Sequence, residues 1–182
     1  NYKNYRSYRK LKSSGTAHQW QQLISKKLMN QINFDTIHGR ALSQLSGGKF
    51  LKNQGLETKY QQWIASKPVA KYTGYVYELF APLGVSTRQS ASSLQPYQVE
   101  TINKQFLQLV EVARNGMNEG ENGYIGVLDT SGSMTSLVPG TKVSAYSVGK
   151  SLTLFMSYLL KGKFSGCYLE FSTTTIMKQW KG

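Results

Sequence analysis

Along the first two thirds of the chain, apolar residues recur at three and four positions, the spacing that lays them on one face of an α-helix. Between Ala17 and Met29, Trp20, Leu23, Ile24 and Leu28 share such a face, with Lys26 and Lys27 opposite. Asn33 or Asp35 stands where it would cap a second helix carrying Ile37, Ala41, Leu42 and Leu45, and Gly47-Gly48 would stop it. A third helix is expected over Leu56–Ser66, with Tyr60, Trp63 and Ile64 inward and Pro68 ending it. Tyr75–Phe80 suits helix or strand equally. Thr87–Ser93 is rich in Ser and Gln and reads as a surface loop. Val99–Arg114 gives the clearest helix, with Ile102, Phe106, Leu109, Val110 and Ala113 on one face. Residues 1–115 therefore read as all-helical, with no internal repeat that aligns.

The pattern changes at Asn115-Gly116. Residues 116–123 form a polar, Gly-containing linker, followed at once by Tyr124-Ile125-Gly126-Val127-Leu128. A short, unbroken apolar run of this kind fits a buried parallel strand. Val143–Leu160 is a long amphipathic helix with Gly162 just beyond it; Gly166–Phe171 is a second strand and Ile176–Trp180 a third. Strand, helix, strand is the βαβ unit of an α/β domain. The expected fold class is α+β overall: a helical region over 1–115, then an α/β (Rossmann-like) unit over 124–182.

Composition adds direction. The 182 residues are 40% hydrophobic, enough for a packed core, which argues against disorder throughout. The net charge of +13 is uneven: residues 1–115 hold 16 basic and 5 acidic side chains, and residues 116–182 hold 6 and 4. A field of that size on one half points to phosphate backbones such as RNA, anionic lipid or acidic protein surfaces as partners, with a soluble basic surface that has no dedicated ligand as the competing reading. The densest stretch is the start, where Tyr2, Tyr5 and Tyr8 alternate with Lys3, Arg6, Arg9, Lys10 and Lys12. Rings there can stack on unpaired bases while the cations meet phosphates. A short helix laying its Tyr stripe on a neighbour accounts for the same spacing, and both readings stand.

Cys167 is the single cysteine, so no internal disulfide forms, and with only His18 and His38 beside it a Cys/His zinc site lacks ligands. No run approaches the ~20 apolar residues of a spanning helix, so no membrane partner is expected. No glycosylation sequon or leader pattern is present. The expected setting is cytoplasmic, with a virion as a second one. Asn1 in place of an initiating Met suggests an excerpt of a longer product.

The chemistry concentrates in Asp129-Thr130-Ser131-Gly132-Ser133-Met134, where the first strand ends. One carboxylate and two hydroxyls, two residues apart, sit at the carboxyl edge of a strand, where open α/β sheets place ligands. Alternate residues of an extended loop can aim at one point, and three hard oxygen donors suit Mg²⁺ or Mn²⁺. A site with one carboxylate stays electrophilic and can recruit a carboxylate or phosphate from a partner. The competing reading is a Ser/Gly turn whose Asp caps the next helix.

Asp-x-Ser-x-Ser after an apolar strand, with Gly between the serines and Met after them, resembles the metal-ion-dependent adhesion site of von Willebrand factor A (vWA) domains, over roughly Gly123–Gly182. The resemblance implies that Ser131 and Ser133 coordinate the metal directly and Asp129 holds it mainly through water. It also implies a Thr and an Asp from two later loops and a sheet of about six strands, of which this sequence carries three. The rest of the sheet is therefore expected outside this sequence or from another chain. A basic helical region directly before such a domain resembles the Ro-type (TROVE) ribonucleoproteins and their viral, bacterial and plant relatives. Tyr8-Arg9-Lys10-Leu11, Ile32-Asn33-Phe34-Asp35, Tyr60-Gln61-Gln62-Trp63-Ile64 and Phe106-Leu107-Gln108-Leu109-Val110 carry that similarity. It implies RNA binding, on a stretch too short for the family's full ring.

Enzyme readings fail on their residues. Gly149-Lys150-Ser151 mimics the end of a P-loop, but position 144 is Ser where the motif needs Gly. A phosphatase of the haloacid dehalogenase type wants Asp where Ser131 stands. Ser131 and Ser133 have no His nearby in sequence to activate them, and Cys167 lies in an apolar strand, as a packed thiol does. The expectation is a non-enzymatic binding protein, with metal-dependent capture of a protein carboxylate at one end and RNA or polyanion binding at the other. The alternative is a structural or packaged component of a viral (phage) particle.

Overall fold

Helices followed by a small mixed sheet give the chain a mixed α+β architecture in a computed structural model that describes residues 19–37, 39–68, 70–80, 94–117, 125–141 and 143–180. Helix α1 (Gln19–Ser25) is shorter than its apolar spacing suggests. Lys27 adopts a left-handed φ of 59°, its N–H donates to the Ile24 carbonyl and that of Leu28 to the Leu23 carbonyl. This pair of reversed bonds closes a helix C-terminus, and it leaves Leu28 41% exposed rather than on the packed face. Asn33 does act as a cap, but of a single 3₁₀ turn, Phe34–Thr36, where its side chain accepts the Asp35 N–H at 2.9 Å. Asp35 instead meets Lys67 at 2.6 Å and accepts the Trp63 indole N–H.

Helix α2 (Gly39–Gly47), the single turn α3 (Phe50–Asn53) and α4 (Glu57–Ser66) follow. Between them and α1 lies the first core. Ile32, Phe34, Ile37, Leu42, Leu45, Leu51, Leu56, Tyr60 and Ile64 are all buried there. Tyr60 is its hub: Phe34 and Tyr97 meet its ring edge-on at 5.0 and 5.7 Å, and its hydroxyl bonds Thr101 Oγ1 at 2.9 Å. Burying each such side chain stabilises the fold by about 1.5–3 kcal/mol.

The ambiguous 75–80 segment is a helix, α5 (Val76–Phe80). Helix α6 (Pro96–Asn115) starts three residues before its periodicity suggests, because Pro96 suits the first turn and Gln98 reaches back to the Gln95 N–H at 2.8 Å. Among the described residues of this half there is no strand. The loop expected at 87–93 and the linker residues 118–123 lie outside the described residues.

The sheet is built from β1 (Val127–Asp129), β2 (Cys167–Phe171) and β3 (Thr175–Gln179) in that spatial order. β1 and β2 are parallel, pairing Val127 with Leu169 and Asp129 with Phe171, and β3 is antiparallel to β2. Helix α7 (Ala145–Leu159), capped by Ser144, makes the crossover between β1 and β2, as the strand–helix–strand pattern requires. β1 begins later than the apolar run, at Val127, with Tyr124 outside the described residues. The approach of α7 is close: a Cβ on Gly126 would lie 3.1 Å from Thr153 Cγ2, and one on Gly149 3.3 Å from Leu128 Cδ1. The other side of α7 (Leu154, Phe155, Tyr158, Leu159) packs on a second apolar cluster with Leu79, Phe80, Ile102, Phe106 and Val110. β3 is exposed along its whole length, with Ile176 54% accessible. Cys167 is buried in β2. No helix of the described residues is long and apolar enough to cross a membrane.

Candidate metal centre

β1 delivers Asp129 to the carboxyl end of the sheet. Just beyond it, the Thr130 N–H and Oγ1 both donate to the Phe171 carbonyl, at 2.9 and 3.1 Å, which ties the loop to the end of β2. With Thr130 turned to β2, Ser131 takes extended backbone (φ −60°, ψ 156°) and a 3₁₀ turn runs from Gly132 to Thr135. The loop is thus extended only as far as Ser131, not through Ser133 as the alternating spacing implies. The two hydroxyls nevertheless meet, and the carboxylate turns back onto the loop backbone. Asp129 Oδ1 accepts the Ser131 N–H at 2.8 Å, and the Ser131 and Ser133 hydroxyls lie 3.1 Å apart. The first bond is an Asx turn, so the carboxylate shapes its own loop. It does not cap the 3₁₀ turn, which begins at Ser131 without a side-chain cap bond.

The spacing fits a small hard cation. Two neighbouring ligands of an octahedral ion at 2.0–2.1 Å stand about 2.8–3.0 Å apart, slightly less than the 3.1 Å between the two hydrogen-bonded hydroxyls. Asp129 and Ser131 are half-buried and Ser133 is exposed, so the donor set opens to solvent and to a partner. Among the described residues no three His, Cys, Asp or Glu side chains cluster as a metal site. A metal at this loop would rest on two hydroxyls and one carboxylate. Such a centre keeps most of the ion's charge for an outside ligand. Beside it lies a cavity of about 100 Å³ whose lining includes Thr130, Glu170 and Lys178, the last two paired at 2.7 Å.

Sequence reasoning missed Thr130, whose role depends on the β1–β2 register and leaves no local signal. It also missed Gly149, which lets α7 approach Leu128 and Met134 directly beneath the loop. Gly149 lies inside α7, not between strand and helix, where a phosphate-binding loop would place it.

Of the basic half, Tyr2, Lys3, Tyr5, Arg6, Tyr8, Arg9, Lys10 and Lys12, like His18 and His38, lie outside the described residues. Several described cations are used internally. Lys104 pairs with Glu100 and donates to the carbonyls of Ile64, Ala65 and Lys67 at the end of α4, Lys59 donates to those of Asn30 and Ile32, and Arg114 donates to that of Tyr158. Lys26, Lys27, Lys49, Lys52 and Lys71 stand exposed.

Comparison of the chain with protein-family models, with curated proteins and with solved structures finds no match.

Proposed function

We propose that the protein is a non-enzymatic binding protein with two ligands: an acidic protein partner, bound through Mg²⁺ or Mn²⁺ at Asp129, Ser131 and Ser133, and RNA or another polyanion, bound by the basic helical half. The observation that carries the first is the pair of hydroxyls 3.1 Å apart on the loop that the Asp129 carboxylate folds, at the carboxyl end of a parallel strand. That arrangement and the Asp-x-Ser-x-Ser sequence support a vWA-type α/β unit with an adhesion-type metal site. The ion, when bound, supplies an electrophilic position for a carboxylate of the partner. Ser131 and Ser133 hold it through their hydroxyls, while Asp129 fixes the loop and neutralises part of its charge. In this reading the β1 edge away from β2 is where further strands, of this polypeptide or another chain, complete the sheet.

The charge surplus of residues 1–115 supports the second ligand. Its proposed contacts include Tyr2, Tyr5, Tyr8 and the basic residues between them.

The test is calorimetric titration of Mg²⁺ and Mn²⁺ into the protein and into its Asp129→Ala variant, with RNA binding measured on both. Metal binding lost in the variant while RNA binding persists is the expected result. An unchanged metal isotherm in Asp129→Ala would remove the site, and joint loss of both activities would remove the idea of two separable ligands.

A further inference from the structure

At the start of α5 the ring of Tyr75 is set on the surface and held there. Tyr75 is 64% exposed, the highest exposure among the large apolar side chains of the described residues. The Tyr77 ring lies parallel to it within 10°, with centroids 5.6 Å apart, and the Arg40 guanidinium carbon is 5.8 Å from the Tyr75 ring centroid. Tyr75 stays largely exposed despite these two contacts, at distances of 5.6 and 5.8 Å from its ring centre.

The group is preorganised by one carboxylate. Glu78 accepts from Arg40 Nε at 2.8 Å and Nη2 at 3.0 Å, and from the Tyr75 N–H at 3.2 Å. The buried Tyr72 hydroxyl donates to the Tyr75 carbonyl and to Glu78, both at 3.4 Å. Ring and cation are therefore tied to the same anchor, Glu78, which lies 38 residues from Arg40 and three from Tyr75. Gly74 is required for this: a Cβ there would fall 2.2 Å from the Tyr72 hydroxyl and 2.8 Å from Glu78 Oε2. The Gly39 N–H donates to the Lys71 carbonyl, so the segment carrying exposed Lys71 runs beside Arg40.

An exposed ring stacked on a half-buried one and flanked by a fixed guanidinium and a lysine is the chemistry that receives an unpaired base and its phosphate. We propose that Tyr75 and Tyr77, with Arg40 beside them, form a stacking platform for an unpaired nucleobase of single-stranded RNA. This rests on the polyanion-binding reading above and adds to it a base-recognising position that charge alone does not supply. Glu78 is a positioning residue: it touches Arg40 and the Tyr75 backbone, not the base.

The experiment compares, by fluorescence anisotropy on the full chain, an oligoadenylate with an abasic oligomer of equal length and charge. The wild-type protein should bind the oligoadenylate about tenfold more tightly than the abasic chain, a ratio typical of one stacked base. Tyr75→Ala should bring the ratio close to one with abasic binding unchanged, and Tyr75→Phe should keep it. Glu78→Gln, which releases Arg40 and removes a negative charge, should lower the ratio while abasic affinity rises, a split that a merely destabilised fold would not give. Equal wild-type affinities for the two oligomers, or a ratio retained in Tyr75→Ala, would overturn the platform while leaving polyanion binding in place. Failure of wild-type protein to bind either oligomer would overturn both readings together.

Discussion

Phe106 of α6 and Tyr158 of α7 meet edge to face, with ring centroids 5.1 Å apart, and Phe80 lies 5.3 Å from Phe106 on another side. This contact joins the helix that carries the clearest apolar stripe to the crossover helix of the sheet. Phe106 is 5% exposed and packs where α5, α6 and α7 converge. Phe106→Ala should therefore cost about 3–5 kcal/mol, the usual penalty for emptying a buried aromatic site. Because the cluster belongs to both halves, tryptophan fluorescence of Trp20 and Trp63 and that of Trp180 should report the loss at one denaturant midpoint. Separate midpoints in the wild type would mean the two halves unfold independently.

Two glycines at the contact between α7 and β1 should respond differently to a methyl group. At Gly126 the added Cβ meets Thr153 Cα at 3.3 Å as well as its Cγ2, so α7 itself has to back away from the sheet. Gly126→Ala should destabilise by about 1–3 kcal/mol through overpacking. At Gly149 the Cβ meets the ends of Leu128 and Met134, which can rotate, and the helix interior gains about 1 kcal/mol on replacing Gly by Ala. Gly149→Ala should be close to neutral. Thermal denaturation of the two variants distinguishes them, and equal losses would show that α7 is not pinned at Gly126.

These contrasts show where the sequence was readable. Tyr60 and Ile64 of α4, and Ile102, Phe106 and Val110 of α6, are spaced four apart and buried, so periodicity alone places both helices. The end of α1 at Lys27 was hidden because a non-glycine residue takes the left-handed conformation there. In α7 the buried positions are Ser147, Ser151, Thr153 and Ser157, which no hydrophobicity pattern marks, and its partly buried aromatic side instead serves the helical half. Asp129, Ser131 and Ser133 are local in sequence, so their placement on the loop that follows β1 was legible. Tyr75, Arg40 and Glu78 were not: only the packing of α2 against the start of α5 brings them together.

Alkaline pH should unfold the protein through its tyrosines. Burial pushes the Tyr60 hydroxyl up from 10.0 to about 12, and burial with the neighbouring Glu78 charge does the same for Tyr72. Tyr97 and Tyr168 are raised too, again first by burial. The folded chain keeps these protons after the unfolded chain has lost them, so this part of the stability is complete below pH 10 and falls as pH rises from 10 towards 12. Unfolding free energies measured across that window should slope downward, less steeply in Tyr60→Phe. That variant also leaves Thr101 its bond to the Tyr97 carbonyl, which limits its cost at neutral pH to about 0.5–1.5 kcal/mol. A slope identical to wild type would remove Tyr60 as a source of the alkaline sensitivity.

The two serines of the proposed metal loop should be separable from the fold that holds them. Ser133 is exposed and sits in a 3₁₀ turn, so Ser133→Ala should shift stability by no more than about 0.5 kcal/mol. Its hydroxyl is one of only two proposed direct metal donors, and losing it should lower Mn²⁺ affinity by at least about tenfold. A ligand present at a hundred times its dissociation constant stabilises the folded state by about 2.7 kcal/mol. Saturating Mn²⁺ should therefore raise the wild-type melting temperature, while Ser133→Ala, at about ten times its weakened dissociation constant, should gain only about 1.4 kcal/mol and show roughly half the shift at the same concentration. Ser133→Thr, which restores a hydroxyl, should recover much of the shift. If Mn²⁺ raises the melting temperature of Ser133→Ala as much as that of wild type, the ion binds elsewhere and the 3.1 Å hydroxyl pair is only a turn.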